Sequence, residues 1–251
     1  TSDDRNAATA LGHYNEQDPY TNRDPRFYVD IIYNQAPIPA YNTAQIWFEM
    51  VGGKTVYSQL LNPDYQGITH TGYYNNKLWG GQSVLNNTAP IHTDPIIRLA
   101  ELYLNYAEAA NEAYGPNTPA PGATLTAVQA INIVRQRVGQ ADVLSKFTTN
   151  KDEFRPRIKN ERIVELVFEG HHYFDSRRWK DAPTWMAGPL MGMNIEKVPI
   201  SATYPIGFKH TRKELEANRQ SKWKDEMYYF PFATADYNKM RNFDCSLNPT
   251  W

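Results

Sequence analysis

Between residues 94 and 114 the polar positions fall on one narrow stripe. Arg98, Glu101, Asn105, Glu108 and Glu112 recur at steps of three and four, and nearly everything between them is apolar or aromatic. That spacing predicts a helix over 94–114, packed by neighbours on several sides. Asp94 is placed to cap it, Pro95 suits its first turn, and Gly115-Pro116 ends it. A second amphipathic stretch runs from Leu125 to Val138, with Ala127, Ile131, Val134 and Val138 as its buried stripe, Thr124 as cap and Gly139 as stop. A third spans Lys151 to Glu169, where Asn150 and Glu153 match a capping box and Pro156 should bend or split the helix. Gly170 then allows a turn, and residues 171–180 predict a short helix that docks Tyr173, Phe174 and Trp179.

The rest of the chain lacks this period. Asp18-Pro19, Asp24-Pro25, Gly52-Gly53, Asn62-Pro63 and Gly80-Gly81 punctuate the first 90 residues with turns. Between them lie short β-prone runs, Phe27 to Tyr33 and Thr55 to Leu61. Residues 1–90 therefore read as an irregular, loop-rich segment packed on a scaffold, and residues 91–251 as the helical region. Beyond Trp185 the prolines and glycines predict extended loop to about residue 208. The charged stretch 209–224 predicts an exposed helix or flexible arm, and Tyr228 to Phe232 a short buried strand or anchor. The fold class is mainly α, with long irregular loops and a few short strands.

Composition narrows the chemistry. The 26 Lys and Arg against 27 Asp and Glu leave a net charge of -1, so there is no footprint for nucleic acid or an anionic membrane. The single Cys245 forms no internal disulfide framework and has no metal-ligand spacing. His171 and His172 stand about 100° apart around a helix and cannot face one metal. No metal or cofactor is expected. There is no apolar run of membrane-spanning length, and an opening at Thr1 predicts a processed or excised piece of a longer protein. Glu161, Glu165 and Glu169 share one helix face. A glycosidase needs two carboxylates about 5–10 Å apart across a cleft. Arg157, Lys159 and Arg162 lie within helical reach, so the face reads as solvated and salt-bridged, with no catalytic residue. Seventeen Tyr and six Trp offer apolar faces with polar tips, which suit stacking on sugar rings or protein surfaces. Tyr14, Tyr20, Tyr41 and Trp47, all in the irregular segment, are the candidate ligand-binding aromatics.

The most distinctive stretch is Glu161 to Trp179, ERIVELVFEGHHYFDSRRW. It resembles the signature of the SusD/RagB family, the surface lipoproteins with which Bacteroidetes capture glycans. Other phrases are similar to that family in the same order: Asn22 to Phe27, Thr71 to Tyr73 with Lys77, Ile97 to Glu101, Tyr106 to Ala109, Arg135 to Gly139, Tyr229 to Pro231, and Asn248 to Trp251. They look like the C-terminal half of such a protein. The resemblance implies a scaffold of tetratricopeptide-like helical pairs, a unit that the Ala110 to Tyr114 phrase and the helix after it also resemble. It further implies oligosaccharide or polysaccharide as ligand and a SusC-like TonB-dependent transporter as partner. The location would be the outer membrane, outward-facing, with the lipid anchor outside this fragment. Within the signature, Glu161, Arg162, Glu165, Glu169, Gly170, Arg178 and Trp179 read as structural, Arg177 or Arg178 pairing with Glu165 or Glu169 and Trp179 sealing the helix junction. Two alternatives stay open. A peptide or other non-glycan cargo would show a pocket with buried charge in place of aromatic platforms. A glycoside hydrolase would show two carboxylates converging in a cleft, one of them unpaired.

Overall fold

The structure, a computed structural model, describes residues 12, 14–38, 42–64, 67–77, 95–186, 188–230 and 232–240. The fold is mainly helical with short strands. Its residues group into two units, Thr1–His171 with Gly192–Lys213, and His172–Met191 with Glu214–Trp251.

In the first unit the first helix among the described residues is α1, Pro25–Asp30, where the sequence suggested strand. The Asp24 carboxylate caps it by accepting from Arg26 N at 2.9 Å, and Pro25 supplies a preset φ in the first turn. Cap and proline together outweigh the β preference of Tyr28 and Val29. Only Ile31–Ile32 becomes strand, β1. Pro37–Ile38 (β2) pairs with Asn42–Thr43 (β3), and β1 pairs antiparallel with Tyr74–Asn75, β6.

Phe48–Val51 (β4) and Lys54–Tyr57 (β5) form a hairpin. It joins Met191–Lys197 (β7) and Phe208–Glu214 (β8) in a sheet of order β5-β4-β7-β8. Both later strands correct the sequence reading of loop and charged arm. Phe208 and His210 point inward while Lys209 and Thr211 point out, so alternation places the charges on the solvent side. Ile32, Ala36, Ile38, Ala44, Ile46, Ile195 and Phe208 make one core beneath these strands.

The second core is helical. Helix α2, Leu99–Tyr114, begins five residues after the expected cap Asp94, which lies outside the described residues. Its buried residues, Ala100, Leu104, Ala107, Ala110 and Asn111, pack against α3 and α4. The other side is open, Leu99 being 65% and Leu102 53% exposed, so among the described residues α2 is covered on one side only. Helix α3, Ala127–Arg137, starts two residues later than predicted, because Thr126 and Gln129 form the reciprocal capping box. The Tyr106 hydroxyl ties α2 to this turn by donating to the Leu125 carbonyl. Helix α4, Lys151–Glu165, is capped by Asn150, which accepts from Asp152 N and Glu153 N. Pro156 does not split it. The proline is exposed, so water can satisfy the carbonyl that its ring leaves without a donor. Alanines at the α2–α3 contact let the backbones approach around Phe154, Ile131 and Ile158.

The second unit contains most of α5, His171–Arg178, together with α6, Ala182–Met186, and α7, Thr234–Met240. The predicted docking of its aromatics is partial. Trp179 is half-buried, while Tyr173 and Phe174 stay exposed. Tyr228 to Phe232 is neither strand nor anchor: Asp225–Tyr228 forms a 3-10 turn, and Tyr229 and Phe230 are largely exposed.

His210 carries the clearest pH signal. Both of its ring nitrogens are buried with no hydrogen-bond partner among the described residues, and burial pushes the imidazole down to about 4. A folded pKa below the unfolded one gives stability that is complete above about 6.5 and is lost as pH falls towards 4. The expected loss is on the order of 2 kcal/mol. Denaturant unfolding at pH 7 and pH 4.5 should show it, and His210→Phe should flatten that part of the profile.

Candidate functional site

The three signature glutamates are not solvated. The side chains of Glu161 and Glu165 are 2% and 1% exposed, and their cations come from distant segments. Arg26 on α1 places Nη1 2.7 Å from Glu161 and 2.9 Å from Glu165. Arg135 donates to the second Glu161 oxygen at 2.7 Å. Arg137, the last residue of α3, donates to Glu165 at 2.7 Å, and Arg98 at 2.5 Å. Arg98 also grips Glu169 with Nε at 2.7 Å and Nη2 at 2.8 Å, and Lys77 meets Glu169 at 2.7 Å.

This corrects the sequence reading, which paired the glutamates with Arg157, Lys159, Arg162, Arg177 or Arg178. Helical spacing shows which residues share a face and says nothing of what covers it. Arg157 instead lies 3.9 Å from the Phe147 ring, and Arg162 donates to Asn105. Arg178 pairs with Asp175 at 3.0 Å, while Arg177 donates to Met227 O and lies 3.5 Å from the Tyr173 ring. Late arrival of α2 has a use here: Arg98 sits at its N-cap, so its side chain is free to reach back to α4.

The network floors a cavity of about 440 Å³, within the usual range for small-ligand sites. Arg26, Asp30, Lys77, Arg98, Arg137, Glu165 and Glu169 line it with Pro25, Val29, Pro95 and Val138. Burial alone would raise the pKa of Glu165 and Glu169, but Arg98, with Arg26 and Lys77, outweighs it and holds both below the ordinary carboxylate range. Asp30 moves the other way. Burial raises it and Lys77, at 3.6 Å, offsets only part of that rise. Every carboxylate in the cavity has a cation within 4 Å, which is not the unpaired acid that the hydrolase alternative requires. Among the described residues no group of His, Cys, Asp and Glu could hold a metal, and no helix is long and apolar enough to cross a membrane.

Of the aromatic candidates, Tyr14, Tyr20 and Trp47 do not line this cavity. Tyr20 is 8% exposed, its ring enclosed by Phe27, Tyr33, Tyr73 and His210 at 4.6–6.4 Å. Burial pushes its phenol far above the usual range. Tyr20 is therefore a core residue, because the loop that carries it folds onto the strand core. Tyr14 is half-buried, and Tyr41 lies outside the described residues. Trp47 is also half-buried, packed on the strand core, with Nε1 donating to Gln45 at 2.6 Å and Lys197 Nζ 4.8 Å from its ring. No ring contact joins Tyr20 to Trp47. Sequence reasoning also missed the cross-strand pair Phe48 and Tyr57, 6.4 Å apart on the hairpin.

The missed cavity residues did leave a trace. Arg26, Lys77, Arg98 and Arg137 each sit in one of the separate phrases noted above, and these phrases meet at Glu165 and Glu169.

Comparison with known proteins agrees. The model of the SusD family matches residues 3–251. A SusD-like protein P25 from Formosa agariphila is 33% identical over 128 residues, 49% of this chain and 23% of its own length. The crystal structure of a SusD-like protein from Bacteroides fragilis superposes with a TM-score of 0.63 at 26% identity, over 92% of this chain and 39% of that one. The surface glycan-binding protein A from Bacteroides thetaiotaomicron, at 18% identity and a TM-score of 0.52 over 93% of this chain and 40% of its own, is similar in fold. The chain thus spans less than half the length of each relative. Matched along almost all of its residues, the chain belongs to the SusD family.

Proposed function

We propose that this chain is the C-terminal part of a cell-surface glycan-binding protein of the SusD type. It captures oligosaccharide for a SusC-like TonB-dependent outer-membrane transporter and carries out no chemistry on it. The protein faces outward from the outer membrane as a lipoprotein. The observation that supports this most is the family match over residues 3–251. The paired state of each carboxylate in the cavity supports the absence of catalysis. Electrophoresis in native gels containing different polysaccharides tests it: retardation by one class supports capture, and migration unchanged in all of them contradicts it.

One observation favours a second reading. Among the described residues the cavity is lined by charge and by no aromatic ring, the feature expected for a peptide or other non-glycan cargo. Competition of peptides against the retarding polysaccharide separates the two.

Trp47 is kept as a glycan contact, because the residue is only half-buried. Trp47→Ala should weaken retardation and also cost roughly 1–2 kcal/mol of stability, since the ring packs on the strand core. Parallel gels and urea unfolding check both effects; unchanged retardation removes Trp47 from the site.

A further inference from the structure

The open side of α2 carries a pattern of its own. Leu99, Leu102, Tyr106, Ala109 and Ala113 recur at steps of three, four, three and four, which places them on one side of the helix. That side lies away from Ala100, Leu104, Ala107 and Asn111, which pack towards α3 and α4. Leu99, Leu102, Ala109 and Ala113 are exposed and Tyr106 is half-buried. Just before the helix Ile96 and Ile97 extend the patch, 92% and 67% exposed. A contiguous apolar surface of this kind marks an interaction site. Its seven-residue period is the one with which two helices pack side by side, so the seam fits a helix.

The order of side chains along the seam says which helix. Its large residues come first and its small ones last, so it is complementary to a reversed copy of itself. In an antiparallel pair with two-fold symmetry, Leu102 of one copy faces Ala113 of the other, and Tyr106 faces Ala109. Each of these layers sets a large side chain against a small one, which lets facing helices interdigitate at one spacing. The flanks agree. This register brings the Asn105 amide beside Glu112 of the second copy, so that carboxylate meets an amide and not another acid, and its charge is already paired with Arg155. Ile96 and Ile97 fall beside the loop that follows Tyr114 in the second copy, which carries the apolar contact beyond the helices.

We propose that this chain forms a two-fold symmetric dimer through the α2 seam, with the two helices antiparallel. The paired stretch is only about 18 Å long, so the interface is at the small end of the range and its Kd should be on the order of micromolar. The dimer does not depend on what the protein captures.

Sedimentation equilibrium of the full chain tests it. The mass should rise with concentration from 28.9 kDa towards twice that value. Leu102→Glu, at a position 53% exposed and therefore tolerant of charge, should weaken association about tenfold or more with native far-UV dichroism. Leu102→Ala sets small against small and Ala113→Leu sets large against large, so each should weaken the dimer. The double variant restores large against small in those layers and should recover the affinity of the parent chain. A monomer at every concentration overturns the dimer and leaves the seam to a helix of another polypeptide. A dimer that withstands Leu102→Glu overturns the α2 interface. Single variants that associate like the parent, or a double variant that fails to recover, overturn the antiparallel register.

Discussion

Replacing Glu165 by Ala should cost about 3–5 kcal/mol of folding stability, the loss expected when one member of a buried ion cluster is removed. Its side chain is 1% exposed and accepts from Arg26, Arg98 and Arg137. Without it Arg26, itself 7% exposed, keeps Asp24 and Glu161 but loses the carboxylate that joins α1 to the end of α4. Glu112→Ala is the contrast. Glu112 pairs with Arg155 at 2.6 Å at the surface, where such pairs contribute about 0–1 kcal/mol. Urea unfolding of both variants checks the prediction, and equal small losses would contradict it. The same network predicts acid lability. Glu165 and Glu169 have folded pKa values below their unfolded ones, so their contribution is present above the ordinary carboxylate range and is lost as pH falls through and below it. His210 acts at higher pH, between about 6.5 and 4, so the two effects separate along one titration.

Gly72→Ala should cost roughly 2–4 kcal/mol, from a left-handed backbone and a close contact acting together. Gly72 has φ +82°, and a Cβ there would meet the Met193 carbonyl oxygen at 2.6 Å. That carbonyl belongs to β7, whose Met193 N donates to Thr71 O at 2.9 Å and whose Ile195 is in the strand core. Backbone held on both sides cannot yield cheaply. Gly53→Ala, in the hairpin turn at φ +78° with no atom within 4 Å, should lose only about 1–2 kcal/mol. Chemical unfolding of the pair separates strain from overlap, and equal losses would show that Met193 yields freely.

The helical half of the fold was legible because periodicity and caps are local. Asn150 starts α4 where the sequence placed it, and α3 shifts by only two residues, to the cap with the better reciprocal partner. Strands β7 and β8 were not legible. Their inward residues are few, and they stand in the sheet because β4 lies beside β7, a pairing that no local pattern encodes. The site was legible in its parts and not in its assembly. Glu161 and Glu165 were read correctly as one face of α4, but the helix ends at Glu165, so Glu169 reaches the network from the turn after it, and burial makes a floor of what was read as a solvated surface. The Arg26 to Glu165 contact spans 139 positions of chain, far beyond the reach of helical spacing. Tyr20 shows the converse, a loop aromatic that faces the core.

Capture without chemistry is tested most directly by titrating the full chain with a panel of polysaccharides while measuring reducing-sugar release in the same samples. Saturable binding of one class with no release above the protein-free control is the predicted result. Release that rises with protein concentration would contradict it and turn attention to the carboxylates of the cavity.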